Sequence, residues 1–235
     1  MLPVAILAGG LATRLHPLTE HVPKSLVQVA GRPFIFHQLD LLRLQGVERV
    51  VLCVAHLGGQ IREMVGTGAS LGLAISYSFD GTELLGTGGA LKRALPLLGE
   101  EFFVLYGDSY LRCSLGAVQS AYQAARRPAL MTVLRNDNRW GKSNALFRNG
   151  ELLAFDKRSP RAGMAHIDFG LSVVSRGVFA RYGAAGVIDL SDVFRDLSLS
   201  GQLAALEVSE RFYEIGSPQG LQESERFLSH RLDPV

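Results

Sequence analysis

Val4-Ala5-Ile6-Leu7-Ala8-Gly9-Gly10-Leu11-Ala12-Thr13-Arg14-Leu15, followed by Pro23-Lys24-Ser25-Leu26, is the stretch from which the rest of the chain can be read. Val4 to Leu7 is apolar at every position, as a strand covered on both faces must be, and it breaks into two adjacent glycines. Adjacent glycines let the backbone approach a ligand closely and aim N–H groups at it, while Arg14 and Lys24 bring the positive charge a polyphosphate needs. The loop therefore reads as a triphosphate site, with Leu7, Ala8, Gly9, Gly10, Thr13, Arg14 and Lys24 as its candidate lining and Arg14 and Lys24 as catalytic cations. A Gly-Gly pair alone would be an ordinary turn, and the two cations alone would be solvated charges. The ordered set G-G-x-A-T-R-L, P-L-T, P-K-S-L is far more specific.

Outward from this segment, short apolar runs alternate with helical patterns. Strands are expected at Val50–Ala55, Leu73–Phe79 and Phe102–Tyr106, and helices at Phe34–Gln45, Gln60–Val65 and Ala90–Leu98. That order predicts a Rossmann-like, mostly parallel sheet with helices on both faces and ligand loops at the carboxyl ends of the strands. Beyond residue 128 the pattern turns to Ala129–Arg135, Ala145–Arg148, Leu152–Asp156 and Ile167–Val174, a small β-rich extension. Asn149-Gly150 predicts a type I′ hairpin turn within it. Ser191–Ser198 and Pro218–Leu232 read as closing helices, the second with Ser217 as N-cap and Pro218 at its first position. No repeat or linker divides the chain, so residues 1–235 are expected to form one catalytic domain.

With 235 residues, 47% of them hydrophobic, the chain can bury a substantial core. Its net charge of +2 comes from scattered charges of both signs, which argues against nucleic acid or an anionic membrane as partner. Cys53 and Cys113 make neither a C-x-x-C pair nor a disulfide framework. No run approaches the 18 or so apolar residues of a membrane span, and Leu2 to Leu7 lacks the basic flank and length of a signal peptide. A cytoplasmic protein is expected. The six histidines show no metal-ligand spacing, and no G-x-S-x-G elbow occurs.

Asp108, in Gly107-Asp108-Ser109, follows the apolar strand Phe102–Tyr106 and should stand in the same cleft as the Gly-Gly loop. A carboxylate about 4 Å from a phosphate oxygen would cost about 4 kcal/mol of repulsion at an effective dielectric near 20, which an intervening divalent cation reverses. Asp108 is therefore read as catalytic and as a Mg²⁺ ligand. Magnesium takes one or two carboxylates plus phosphates and waters, and Glu214 in Tyr213-Glu214-Ile215-Gly216-Ser217-Pro218 is the candidate second ligand. A turn acid for Asp108 and a surface acid for Glu214 are the competing readings. Leu84-Leu85-Gly86-Thr87-Gly88-Gly89-Ala90-Leu91-Lys92 is a glycine-rich loop opening a helix, without the spacing of a P-loop.

These motifs together resemble the sugar-1-phosphate nucleotidyltransferases over nearly the whole chain. The form L-G-T-G-G-A-L-K looks most like that of guanylyltransferases acting on mannose- or heptose-type sugar phosphates. The resemblance implies a Mg²⁺-dependent reaction between a nucleoside triphosphate and a sugar 1-phosphate, with GTP the expected donor. It places Gly86, Thr87, Gly88 and Gly89 against the nucleotide base. Glu83 is then either an acceptor for guanine or a surface charge, and the base stays open. It also implies that Asn144 and Asp156 contact the sugar, that Lys157 contacts its phosphate, and that Asp168 contacts the sugar where the family usually carries Asn. Glu214 stands where the family more often has Asp, and Tyr106 replaces a common asparagine. Trp140 is open between stacking on a sugar and anchoring its loop. Within the class the runner-up is a uridylyltransferase on an amino-sugar 1-phosphate such as N-acetylmuramate 1-phosphate. A non-catalytic nucleotide-sugar sensor is the rival from outside it, disfavoured by the presence of Arg14, Lys24 and Asp108 together. A Rossmann oxidoreductase is disfavoured because the first loop lacks G-x-G-x-x-G. The oligomeric state is not legible.

Overall fold

A computed structural model describes every residue except Thr82, Ala184, Ala185 and residues 231–235. In chain order the first elements are β1 (Val4–Leu7), β2 (Gln28–Val29), β3 (Arg32–Pro33), α1 (Phe34–Leu44), β4 (Arg49–Val54), α2 (Gly58–Val65) and β5 (Ala74–Phe79). The middle of the chain forms α3 (Gly86–Leu98), β6 (Glu101–Tyr106), β7 (Ser109–Tyr110), α4 (Leu115–Ala125), β8 (Ala129–Arg135), β9 (Ala145–Arg148) and β10 (Glu151–Phe155). The last part gives β11 (His166–Ser175), α5 (Leu190–Leu199), β12 (Leu203–Val208), β13 (Tyr213–Glu214) and α6 (Pro218–Ser229).

The expected mostly parallel sheet is present in the first half, where β6, β1, β4 and β5 lie side by side in one direction. Its register positions the site. Leu7, the last residue of β1, pairs with Cys53 on one side and Tyr106 on the other, so the Gly-Gly loop and the Gly107-Asp108 turn leave the sheet side by side. Gly107 has to be glycine here, because a Cβ would lie 2.9 Å from the Leu7 carbonyl oxygen and 3.1 Å from the Ala8 Cα. The extension is built on β11, which joins β6 and β8 antiparallel, while β12 runs parallel to β8. At the start of β11, His166 pairs with Ala145 of the β9–β10 hairpin. The hairpin turn has the two positive φ values of a type I′ turn, 51° at Asn149 and 81° at Gly150.

Alternate residues of the central strands feed two apolar layers. Val4, Ile6 and Leu52 pack with Ile35 and Leu39 of α1 and Val118 of α4, while Ala5, Val51 and Cys53 pack with Leu91 and Ala94 of α3 and Phe194 of α5. Helices therefore cover both faces. A third cluster joins Val29, Phe34, Tyr110 and Ile215 to Leu228 of α6. The Ser217 hydroxyl accepts from the Gly220 N–H at 3.0 Å, as its place before Pro218 predicts. The end expected for this helix, Leu232, lies outside the described residues. Besides the two-residue strands β2, β3, β7 and β13, α4 and β12 escape the sequence reading. In α4 only Leu115, Val118 and Tyr122 are buried among small and polar residues, and in β12 most positions are half-exposed, so neither shows a strong period.

Candidate active site

Two adjoining cavities open at the carboxyl ends of β1 and β6. The first, of about 240 Å³, is lined by Leu7, Ala8, Gly9, Gly10, Lys24, Ser25, Asp80, Gly86 and Thr87 among others. The second, of about 420 Å³, is lined by Arg14, Trp140, Asn144, Lys157, Asp168, Phe212 and Glu214 among others. Tyr106 and Asp108 line both.

In the first cavity the glycines do different work from one another. A Cβ on Gly9 would meet Ala55 Cβ at 3.1 Å, so that glycine is a packing requirement, whereas Gly10 faces open space. The glycine-rich segment is the first turn of α3 rather than a loop before it. Gly88 and Gly89 both donate their N–H groups to the Ile188 carbonyl, at 2.8 and 3.2 Å, and a Cβ on Gly88 would lie 2.6 Å from Ile188 Cγ2. The glycine character of Gly88 is thus set by the segment before α5 and that of Gly89 by Leu85, whose Cβ would lie 2.9 Å from an added Cβ, and only Gly86 and Thr87 of the four reach the cavity. Thr87 ties the two helices together, its hydroxyl accepting from the Leu190 N–H at 2.8 Å and donating to Asp189 at 3.3 Å. Thr13 opens a short 3₁₀ turn, is exposed and lines neither cavity; Arg14 beside it turns toward the second cavity. Glu83 is exposed and lies outside both cavities. Besides Asp108, the acid that lines the first one is Asp80, buried at the end of β5, where the Leu85 N–H donates to it at 3.4 Å. Burial pushes its carboxyl above the ordinary carboxylate value, with the Leu85 N–H and Arg93 opposing. Asp80 has no motif around it; its only sequence signal is a lone acid after an apolar run. Ser25 presents a buried hydroxyl without a hydrogen-bond partner among the described residues, and it too lines the cavity.

The seam between the cavities is the Asp108 turn. Lys24 Nζ lies 2.9 Å from Asp108 Oδ2, and the Ser109 hydroxyl donates to Oδ1 at 3.1 Å. From behind, Gln38 of α1, only 1% exposed, donates both hydrogens of its amide to the turn, to the Tyr106 carbonyl at 2.9 Å and the Ser109 carbonyl at 2.7 Å. The turn is clamped on a second side by β13, whose Glu214 pairs with Ser109, and by the Ile215 N–H donating to the Asp108 carbonyl. The Glu214 carboxylate accepts from the Gly216 N–H and, at 2.6 Å, from the Ser217 hydroxyl, so it also organises the start of α6. Gly216 leaves a space where these groups converge. A Cβ there would lie 2.7 Å from Glu214 Oε2, 3.2 Å from Asp108 Oδ2 and 3.3 Å from Arg14 Nη2.

In the second cavity Asn144, Lys157 and Asp168 come together as expected, and Asp156 does not. The Asp156 side chain is buried outside the cavity, accepting from the N–H groups of Arg158 and Ser159 at 3.0 and 2.8 Å and pairing with Arg195 at 3.4 Å. Its neighbour faces the other way because successive residues leaving a strand alternate sides. Asn144 Oδ1 accepts from the Asp168 N–H at 2.9 Å, which ties the segment entering β9 to β11. Burial raises the Asp168 carboxyl, while Lys157 and the Gly170 N–H pull it back down. An aromatic wall completes the cavity, with Phe212 edge-on to Phe169 at 6.1 Å and to Trp140 at 6.5 Å. Arg211 stacks over Trp140 and Tyr213, at 5.2 and 4.8 Å from the ring centroids. Trp140 is thus both a cavity wall and a packed loop residue.

Among the described residues no group of three or more His, Cys, Asp or Glu side chains gathers to hold a metal, and no helix is long and apolar enough to cross a membrane. A cation in the cleft would rest on Asp108 and Glu214 with ligands from bound phosphates, and each of these carboxylate oxygens keeps a second lone pair beyond its present hydrogen bond.

Residues 4–142 match the nucleotidyl transferase family. The chain is 30% identical over 222 residues to the mannose-1-phosphate guanylyltransferase catalytic subunit beta of Xenopus tropicalis, covering 91% of this chain and 61% of that one. It is also 30% identical over 234 residues to the N-acetylmuramate alpha-1-phosphate uridylyltransferase of Caulobacter vibrioides, covering 95% and 96%. A Bacillus anthracis structure described as a glucose-1-phosphate thymidylyltransferase and solved with sucrose shares the fold, with a TM-score of 0.87 at 19% identity over 100% of this chain and 98% of that one. With the Gly-Gly loop, Lys24 and the Asp108 turn falling inside the matched region, the chain belongs to the nucleotidyl transferase family.

Proposed function

We propose that the protein transfers a nucleoside monophosphate from a nucleoside triphosphate to a sugar 1-phosphate, releasing pyrophosphate, with Mg²⁺ as cofactor and GTP as the preferred donor. The observation that carries this reading is that Asp108 and Tyr106 line both cavities, so a triphosphate in the first and a sugar 1-phosphate in the second meet at the Asp108 turn. The sugar-phosphate oxygen attacks the α-phosphorus, and the bond to the departing pyrophosphate breaks. The attacking group is already an anion, so no general base is needed, and the chain's task is to bring two negative reactants together and hold them in line.

Its residues divide that task. Gly9 and Gly10 bring backbone to the triphosphate, Lys24 sets a cation against both the phosphates and Asp108, and Arg14 and Lys157 hold charge on the sugar-phosphate side. The Asp108 and Glu214 carboxylates converge beside Gly216, 3.2 and 2.7 Å from where a Cβ would stand, which puts two acids on one side of the seam. Mg²⁺ held by Asp108 and Glu214 would neutralise phosphate charge and orient the oxygens. Asn144 and Asp168 supply hydrogen-bonding groups to the sugar, and the Trp140–Phe169–Phe212 wall supplies an apolar face for its ring.

The choice of GTP rests on Asp80. A buried carboxylate beside Gly86 and Thr87 suits guanine, which offers two adjacent N–H donors, and the Xenopus relative is named as a guanylyltransferase. A second reading, uridylyl transfer to an amino-sugar 1-phosphate, is favoured by the 96% coverage of the Caulobacter uridylyltransferase, and this chain spans only 61% of the Xenopus protein. Pyrophosphate release from GTP, UTP, CTP, ATP and dTTP, each against mannose-, heptose-, glucose- and N-acetylamino-sugar 1-phosphates with and without Mg²⁺, tests both. The proposal expects metal-dependent release confined to GTP with a manno-configured sugar. Release with UTP alone replaces the donor assignment, and metal-independent release removes Mg²⁺.

A further inference from the structure

Tyr106 ends β6 at the seam of the two cavities, where its ring packs on β11. Gly170 lies against it, with a φ of 97° that favours glycine, and a Cβ there would stand at ordinary contact distance, 3.5 Å, from the Tyr106 ring. Gly170 lies where the β11–β8 register shifts between Asp168 and Ser172. Over the ring, Lys157 Nζ lies 5.6 Å from the centroid, inside the range of a cation–π contact. Two carboxylates stand near enough for Lys157 to lower their pKa values, Asp168 and Asp189, yet among the described residues Lys157 closes an ion pair with neither. Both are committed elsewhere. Asp168 accepts from the Gly170 N–H at 3.0 Å, and Asp189 caps α5 through the Ser191 N–H at 2.8 Å and takes the Thr87 hydroxyl. A lysine ammonium is a compact charge on a flexible stem, so without a shelf it would swing or settle on one of these acids.

We propose that Tyr106 is a positioning residue, whose ring face holds the Lys157 ammonium at the seam between the cavities and keeps its charge free for the phosphate of the incoming sugar 1-phosphate. This rests on the reading of Lys157 as a phosphate ligand given above. An aromatic face grips a cation more weakly than a carboxylate does, so the lysine is oriented and still released to a phosphate. It also gives the tyrosine a reason to stand at this strand end.

The test is a double-mutant cycle, reading KM for each substrate with mannose 1-phosphate and GTP, or with the fastest pair from the pyrophosphate-release grid. Lys157→Met is expected to raise KM for the sugar 1-phosphate about 30-fold and Tyr106→Leu about fivefold, with KM for the nucleotide unmoved. The double variant should match Lys157→Met alone, because the ring acts only through the lysine. Tyr106→Phe, which keeps the face and drops the hydroxyl, should recover the wild-type sugar KM. An additive double variant, a Tyr106→Phe as weak as Tyr106→Leu, or a Tyr106→Leu effect on the nucleotide KM overturns the proposal. A Lys157→Met that leaves the sugar KM unchanged overturns the phosphate assignment of Lys157 instead. Thermal melts establish that each variant is folded, and Tyr106→Met takes the place of Tyr106→Leu in the cycle if that variant does not fold.

Discussion

The two sides of the cleft are assembled in different ways. The first cavity is lined from within residues 7–108, chiefly by Leu7 to Gly10, Lys24-Ser25, Gly86-Thr87 and Tyr106 to Asp108, each at the end of a strand or the start of a helix. Besides the shared turn, the second takes residues from position 14 to position 214, in the segments Trp140 to Lys142 and Ile167 to Gly170 and as the single residues Arg14, Asn144, Lys157, Phe212 and Glu214. A triphosphate is the same in every donor and can be met by backbone and fixed charge, which short motifs encode. A sugar differs from its relatives by hydroxyl configuration, which only side chains from several elements can distinguish. Under the proposed function, the triphosphate half of the site is lined from within the first 108 residues, whereas the sugar half draws on both halves of the chain.

The strongest test of that division is the seam, because Asp108 belongs to both sides. Asp108→Asn should lower turnover about 10³-fold at saturating Mg²⁺ with both substrates affected, measured as pyrophosphate release. A variant keeping more than a tenth of wild-type activity would remove Asp108 from the reaction. Next in size is Asp80→Asn, which should cut the preference for GTP over UTP about 30-fold and leave the sugar KM alone. An unchanged nucleotide preference would place base reading elsewhere in the first cavity. Gln38→Leu removes the amide that clamps the turn and should cost about 2 kcal/mol of stability and about tenfold in kcat. A loss of stability with kcat intact would make Gln38 a packing residue only.

Asp156→Ala sharpens the second side by separating neighbours. It should lower the melting temperature while leaving the sugar KM unchanged, the reverse of Lys157→Met. The Ser159 N–H first, then the Arg158 N–H and Arg195, hold the Asp156 carboxyl below its ordinary value of 3.8, against the opposing effect of burial. A depressed carboxyl stabilises the fold above its unfolded pKa and loses that contribution as pH falls through the folded value. The melting difference between wild type and Asp156→Ala should therefore be full at neutral pH and shrink below about pH 3.8, which differential scanning calorimetry can follow. The smallest effect is expected from Glu83→Gln, exposed and outside both cavities, at less than about twofold in any kinetic constant. A larger change in nucleotide KM would return base recognition to Glu83.

Where sequence patterns are strong, they place the elements correctly. Ala129–Arg135 and Ala145–Arg148 have the bounds expected of them, and Asn149-Gly150 makes its hairpin turn. The weakly periodic α4 and β12 are absent from that reading because burial there falls on few positions. The site divides similarly. Gly10 and Asp108 were legible because each comes just after an apolar strand, and Lys24 because it stands in the P-K-S-L run that completes the ordered set. Asp80, Gln38 and Phe212 carry no motif, and they matter through contacts made across the fold. Glycine identity was legible at 88, but its cause was not: the packing partner is Ile188, about a hundred residues downstream.

By itself the sequence determined the α/β class, the strand ends that carry the phosphate loop and the Asp108 turn, and the family, because these depend on local periodicity and on residue types within a few positions of one another. Only the tertiary structure decided that Asp80 joins Asp108 in lining the first cavity, that Asp156 turns from the second while Lys157 faces it, and that Tyr106 lies beneath that lysine. Those outcomes depend on register, side-chain direction and packing between distant segments, where a difference of one residue reverses the face and a missing Cβ opens a space.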